Sequence, residues 1–171
     1  MGKQYDAITP EQIALIESAP LFFVASVDPE GGPGPHGIGP LNVSPKGATK
    51  LCVLGPNRVA YLDYPGSGNE TARHAESGGP VTVLIMSFGA EDAAIVRLYG
   101  RAEILPAEGE HPALATLAPE LAKKPRQIVE IVVSKTQTSC GYGVPILDYV
   151  GERTRSGRGR RFKGPKQPSS S

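Results

Sequence analysis

Apolar runs of strand length follow one another along most of this chain, with few helical patterns between them. Val81-Thr-Val-Leu-Ile-Met-Ser-Phe88 carries the strongest strand signal, and Ala94–Leu105 follows as a second run, kinked at Gly100. Gln127-Ile-Val-Glu-Ile-Val-Val133 alternates as a half-buried strand does. Upstream, Leu21–Val27 reads as a buried strand ended by Asp28-Pro29, and Leu41–Ser44 as a short one. Lys50–Leu54 and Arg58–Leu62 flank the hairpin-like turn Gly55-Pro56-Asn57. Strands that succeed strands favour antiparallel pairing over a parallel α/β sheet. The expectation is a mainly β fold with short helices, an antiparallel barrel of six to seven strands.

Three helical segments complete the pattern. Thr9-Pro10-Glu11-Gln12 has a capping threonine, a proline in the first turn and an early acid. Thr71–Ser77 reads as a short helix closed by Gly78-Gly79, and residues 111–124 read as helical, with Pro119 opening a second segment. Residues 29–40 are mostly Gly and Pro and form a loop; Ser139–Pro145 is a Gly-rich loop.

The chain has 171 residues, enough for one domain with a real core. Its net charge of +1 conceals an asymmetry. Seven bases and no acids follow Glu152, leaving 11 of the 18 bases against all 17 acids before it, a net of −6. The reading is a folded domain over residues 1–152 and a basic, apolar-poor tail over 153–171 that is expected to be disordered. That tail can touch nucleic acid or an acidic surface through charge alone, but a solvated end is the simpler reading. No apolar run approaches the roughly 20 residues that span a bilayer. Met1–Asp6 has no signal-peptide core, and a cytoplasmic place is expected. Cys52 and Cys140 are too few for a disulfide framework or a zinc site. His36, His74 and His111 are scattered, so no metal is expected.

The stretch with most chemistry is Tyr61-Leu-Asp-Tyr-Pro-Gly-Ser-Gly-Asn-Glu-Thr-Ala-Arg-His74. It reads as strand, turn and helix start. Ser67, Asn69, Thr71 and Arg73 can all donate hydrogen bonds, and an anion suits such a place. Gly66-Ser-Gly68 begins a GxGxxG pattern, but Thr71 stands where the third glycine belongs. A plain turn with a helix cap is the alternative to phosphate binding. Lys46, just after a strand, is either a solvated loop lysine or, with Arg73, part of an oxyanion site. Arg97 falls on the strand face opposite Val96 and Leu98, which suggests solvent or a ligand. Cys140 has no motif tying it to a base.

Taken together, Leu21–Val27, Asn42-Val-Ser-Pro-Lys-Gly47, Val53–His74, Arg97-Leu-Tyr-Gly-Arg-Ala102 and Ser139-Cys-Gly-Tyr-Gly-Val-Pro145 resemble the pyridoxamine 5′-phosphate oxidase-like flavoproteins. The resemblance covers roughly residues 8–153, and the order of the blocks makes it specific. It is to the uncharacterised branch and not to the vitamin-B6 enzyme, because the chain has no Trp and ends its matching region on Ser-Cys-Gly-Tyr-Gly-Val-Pro. Its Tyr64–Gly68 loop is also longer than the oxidase's turn.

The resemblance implies a split β-barrel homodimer with FMN in a groove between subunits, working as an oxidoreductase on an unidentified small molecule. It implies that Val43 to Lys46 lie along the isoalloxazine, with Ser44 and Lys46 reaching the flavin. It places Tyr61, Leu62 and Asp63 beside the ring, and Asn69, Thr71 and Arg73 on the phosphate. It also implies that the Ser139–Tyr142 loop, with Cys140 and Tyr142, approaches the flavin from the other subunit. A deazaflavin on the same fold is one alternative. Another is a flavin or haem carrier without turnover, with His74 or His36 as the axial ligand.

Overall fold

The computed structural model describes residues 2–32, 40–66, 68–116 and 124–152. Ser67, His36, Pro119 and the basic tail therefore lie outside the described residues. Eight strands run in chain order: β1 Lys3–Tyr5, β2 Phe22–Val27, β3 Leu41–Lys46, β4 Cys52–Gly55, β5 Arg58–Asp63, β6 Pro80–Met86, β7 Ala94–Pro106 and β8 Gln127–Cys140. Helix α1 spans Pro10–Ser18 and α2 spans Glu70–Glu76; a 3₁₀ turn covers Pro112–Thr116.

Every strand pairing is antiparallel. The strand order is β3-β2-β6-β7-β8-β5-β4, with β1 added to β8. The sheet is a split barrel. Across the split, β3 and β5 are joined by side chains: Lys46 Nζ donates to Asp63 Oδ1 at 3.1 Å. Nearby, Asn42 Nδ2 donates to Thr71 Oγ1 of α2 at 3.2 Å.

Alternation builds the interior. Phe22 and Val24 of β2, Val81, Val83 and Ile85 of β6, Val96 and Leu98 of β7, and Val129, Ile131 and Val133 of β8 all point inward and are buried. The opposite face of β5 and β8 holds a smaller cluster, Ala60, Leu62 and Ile128, covered by Ala113 of the 3₁₀ turn. Strand β5 is thus buried on both faces, which accounts for its unbroken apolar run.

The expected strands are present, with two differences. Strand β1 is an addition, since three residues leave no periodicity to read. Strand β8 extends to Cys140, well past Val133, so Ser139 and Cys140 belong to a strand end and not to the loop. Ser134 is the reason for the apparent stop. It is the extra residue where the β7–β8 register shifts, and its hydroxyl donates to the Tyr99 carbonyl at 3.0 Å. Before this bulge β8 pairs with β5; after it, with β1. Helix α2 begins at Glu70, one residue earlier than expected. Of the helical reading over 111–124, only the turn Pro112–Thr116 lies within the described residues.

The start of α1 has the expected cap in full. Thr9 Oγ1 accepts from Gln12 N at 3.3 Å, and Gln12 Oε1 accepts from Thr9 N at 3.1 Å. Buried Gln12 then donates through Nε2 to Thr138 Oγ1 of β8 at 3.0 Å. Thr9→Ala is expected to lower the unfolding free energy by about 1 kcal/mol. Urea titration reads this directly, and an unchanged midpoint would deny the cap its role.

Candidate functional site

A cavity of about 110 Å³ opens where the barrel is split. Its walls come from three places. Strand β3 supplies Ser44 and Lys46, and the end of β5 with its following loop and α2 supplies Asp63, Tyr64, Asn69, Glu70 and Thr71. The lead into β8 supplies Arg126. Gly66 and Gly68 also line it and add no side chain to fill it.

Asp63 sits at the centre and is largely buried. Besides Lys46, it receives Arg126 Nη2 at 2.6 Å, Arg126 Nε at 3.2 Å and Gln127 Nε2 at 2.9 Å, all on Oδ2. The Arg126 backbone N–H also donates to the Asp63 carbonyl at 2.8 Å. Arg126 Nη2 reaches the Gly68 carbonyl at 3.2 Å, and Gln127 Nε2 donates to Asn69 Oδ1 at 2.9 Å. The loop before α2 is thereby pinned at both ends.

Of the residues expected at the site, Ser44, Lys46, Asp63, Asn69 and Thr71 line this cavity. Val43 points from the other face of β3 and is exposed. Leu62 is buried in the smaller apolar cluster. Arg73 is half exposed on α2 and donates to Glu70 Oε1 at 3.3 Å; it does not line the cavity. Cys140 ends β8 at the opposite extremity from Gln127, and Tyr142 follows it, strongly exposed; neither lines the cavity. Ser67 lies outside the described residues. Arg97 is partly buried and donates to Ser139 Oγ at 3.0 Å.

Arg126 is the residue that sequence reading misses. It lies 63 positions from Asp63, and only the register that sets Asp63 opposite Gln127 brings the two together. An arginine just before a strand start was the one available signal.

Tyr61 is wholly enclosed in the main core, edge-on to Phe22 with ring centroids 5.5 Å apart. Lys46 Nζ lies 5.4 Å from its ring centroid. The phenol hydroxyl has no hydrogen-bond partner among the described residues. Burial, and then the Asp63 carboxylate, push its pKa well above the ordinary tyrosine value, with Arg126 opposing. The folded state therefore keeps the phenol neutral while an unfolded tyrosine ionises above about pH 10. Its contribution is intact below that pH and is lost as pH rises beyond it, at about 1.4 kcal/mol per pH unit. Tyr61→Phe is expected to flatten the alkaline fall in stability. Equal slopes for variant and parent in pH-dependent urea unfolding would contradict a buried, un-ionised phenol.

The two described histidines do not converge. His74 is buried with Nδ1 3.0 Å from Ser26 Oγ. His111 Nδ1 accepts from the Ala113 N–H at 3.1 Å, so its Nε2 carries the proton that Glu130 Oε2 receives at 3.0 Å. Among the described residues no group of three His, Cys, Asp or Glu is placed to hold a metal, and no helix is long and apolar enough to cross a membrane.

An antiparallel split barrel with a small cavity of charged and hydroxyl side chains in its split defines the class. The pyridoxamine 5′-phosphate oxidase family profile matches residues 8–140, and the chain belongs to that family. It is 38% identical over 135 residues to the pyridoxamine 5′-phosphate oxidase family protein ustO of Aspergillus flavus. That match covers 75% of this chain but 50% of ustO, so the chain spans about half the length of this curated relative. Among solved structures, a Lactobacillus delbrueckii protein, a candidate pyridoxamine 5′-phosphate oxidase, superposes with a TM-score of 0.57 at 20% identity. The alignment covers 79% of this chain and 97% of that one. HupZ of Group A Streptococcus superposes with a TM-score of 0.52 at 23% identity, covering 74% and 89%. At these identities the two structures bear on the fold alone.

Proposed function

We propose that this protein is an FMN-dependent oxidoreductase acting on a small molecule as a homodimer, with the cofactor phosphate in the split. The observation that carries the reading is the donor set of the cavity. Lys46 and Arg126 bring two positive charges around the one Asp63 carboxylate, Arg73 engages the Glu70 carboxylate, and Ser44 and Thr71 bring hydroxyls to a space also lined by two glycines. Guanidinium, ammonium and hydroxyl donors suit a phosphate monoester. Asn69 contributes by holding Gln127, and Arg73, kept on Glu70, adds positive potential from outside.

The size of the cavity supports the dimer. Ligand pockets for whole cofactors run to roughly 300–1,000 Å³, so about 110 Å³ takes a phosphate head and little more. The rest of an FMN would extend beyond the cavity, and the far face of β3 leaves Leu41 and Val43 exposed. Beyond β8, Tyr142, Ile146, Leu147, Tyr149 and Val150 are also exposed. Apolar surface on this scale calls for a cover, and a second subunit that brings Cys140 and Tyr142 to the ring supplies one. When bound, the flavin supplies the redox chemistry, while the protein binds, orients and excludes water. The burial of His74 inside the body supports flavin over a haem ligated there.

Purified protein is expected to be yellow, to quench the fluorescence of added FMN and to sediment as a dimer. NADH or NADPH should bleach the bound flavin. Colourless protein that neither quenches FMN nor gains thermal stability from it would overturn the proposal. A deazaflavin titrated in parallel separates the two cofactors.

A further inference from the structure

One carboxylate organises the positive charge of the cavity. Lys46 arrives from β3, Asp63 ends β5, Arg126 immediately precedes β8 and Gln127 opens it. A carboxylate offers about four acceptor positions. Asp63 receives one bond on Oδ1, from Lys46, and three on Oδ2, two from Arg126 and one from Gln127. Its single negative charge is thus held between two cations. Both cations keep donors to spare: Lys46 has used one of its three N–H groups, and Arg126 Nη1 has no partner among the described residues.

We infer that Asp63 is a positioning residue that presents Lys46 and Arg126 as a preformed clamp for a doubly charged phosphate monoester. The clamp makes the site discriminate FMN from riboflavin. The inference deepens the flavin reading above and rests on it. Two effects of Asp63 oppose one another. Its charge repels an incoming anion. Its hydrogen bonds fix two long, rotamer-rich side chains before the ligand arrives, so their ordering is not a cost of binding. The local charge decides between them. Lys46 and Arg126 together outweigh the one Asp63 carboxylate, and Arg73 engages Glu70, the other acid of the lining. An unheld Lys46 or Arg126, by contrast, would have open solvent to explore.

The two effects give opposite signs for Asp63→Asn. Charge alone predicts tighter FMN binding once the carboxylate is gone. Positioning predicts weaker binding, because the new amide turns N–H groups toward one of the two cations and releases it. The test titrates FMN and riboflavin into the wild type, D63N, R126Q and R126K, with melting curves to establish folding.

The wild type is expected to prefer FMN over riboflavin by at least about tenfold. R126Q should lose about tenfold in FMN affinity and nothing for riboflavin, with R126K recovering part of the loss. D63N should lose about fivefold for FMN only. FMN binding to D63N that equals or exceeds the wild type overturns the inference, as does an equal loss of both flavins in R126Q. If D63N fails to fold, the R126Q and R126K ratios decide. A wild type that binds neither flavin removes the flavin reading and this inference with it. A wild type that binds FMN while the variants keep its preference removes the inference alone.

Discussion

Lys46→Ala is expected to weaken FMN binding by at least about tenfold while leaving riboflavin binding and the fold in place. The amino group is 3.1 Å from Asp63 and only about one-fifth exposed, so it acts in a partly dry cavity where charge-assisted hydrogen bonds keep their strength. Its loss leaves Asp63 with Arg126 and Gln127, so no buried charge is stranded and the melting temperature should move little. Arg73→Ala is the internal comparison. Arg73 is half exposed and already engaged with Glu70, and ion pairs of that kind are screened by water and salt. Its removal should cost only a few-fold in FMN affinity. Flavin titrations of both variants at one ionic strength give the ranking. A larger loss for Arg73→Ala than for Lys46→Ala would place the phosphate on α2 instead of in the split.

Gly100→Ala is the second large effect, and it falls on stability. A Cβ at this position would collide with the Val132 carbonyl of β8, a backbone atom with nowhere to go. It would strike where the ladder shifts register around Ser134, at the bend that divides the β5-paired part of β8 from the β1-paired part. Overpacking against side chains typically costs about 1–3 kcal/mol, and rigid backbone puts this case at the upper end, about 3 kcal/mol. Urea unfolding measures it. A loss under about 1 kcal/mol would mean that β7 and β8 do not approach as closely as described. The glycine is needed here for room and not for an unusual backbone angle.

The strands were legible because their interior faces alternate. Val81, Val83 and Ile85, or Val129, Ile131 and Val133, announce a buried face two residues at a time. The cap at Thr9 was legible because Thr-Pro-Glu-Gln is local chemistry. The site was legible only in part. Ser44, Lys46, Asn69 and Thr71 lie in two short blocks, and the barrel brings those blocks together. Arg126 was hidden because its place depends on how β5 pairs with β8, a long-range fact that no spacing along the chain encodes. Tyr61 was placed beside a flavin ring, yet in the chain itself it fills the core against Phe22. An alternating strand says which residues share a face but not which face a ligand will meet.

The split is held shut by side chains where the rest of the barrel is held by backbone. A ladder of peptide hydrogen bonds uses groups that every residue but proline carries, so most side chains can change without touching it. The bridges Lys46–Asp63 and Asn42–Thr71 are written in residues and can be rewritten one at a time without unpairing a strand. The scaffold and the ligand it accepts can therefore change independently, and a barrel of this shape can keep its architecture while its chemistry drifts.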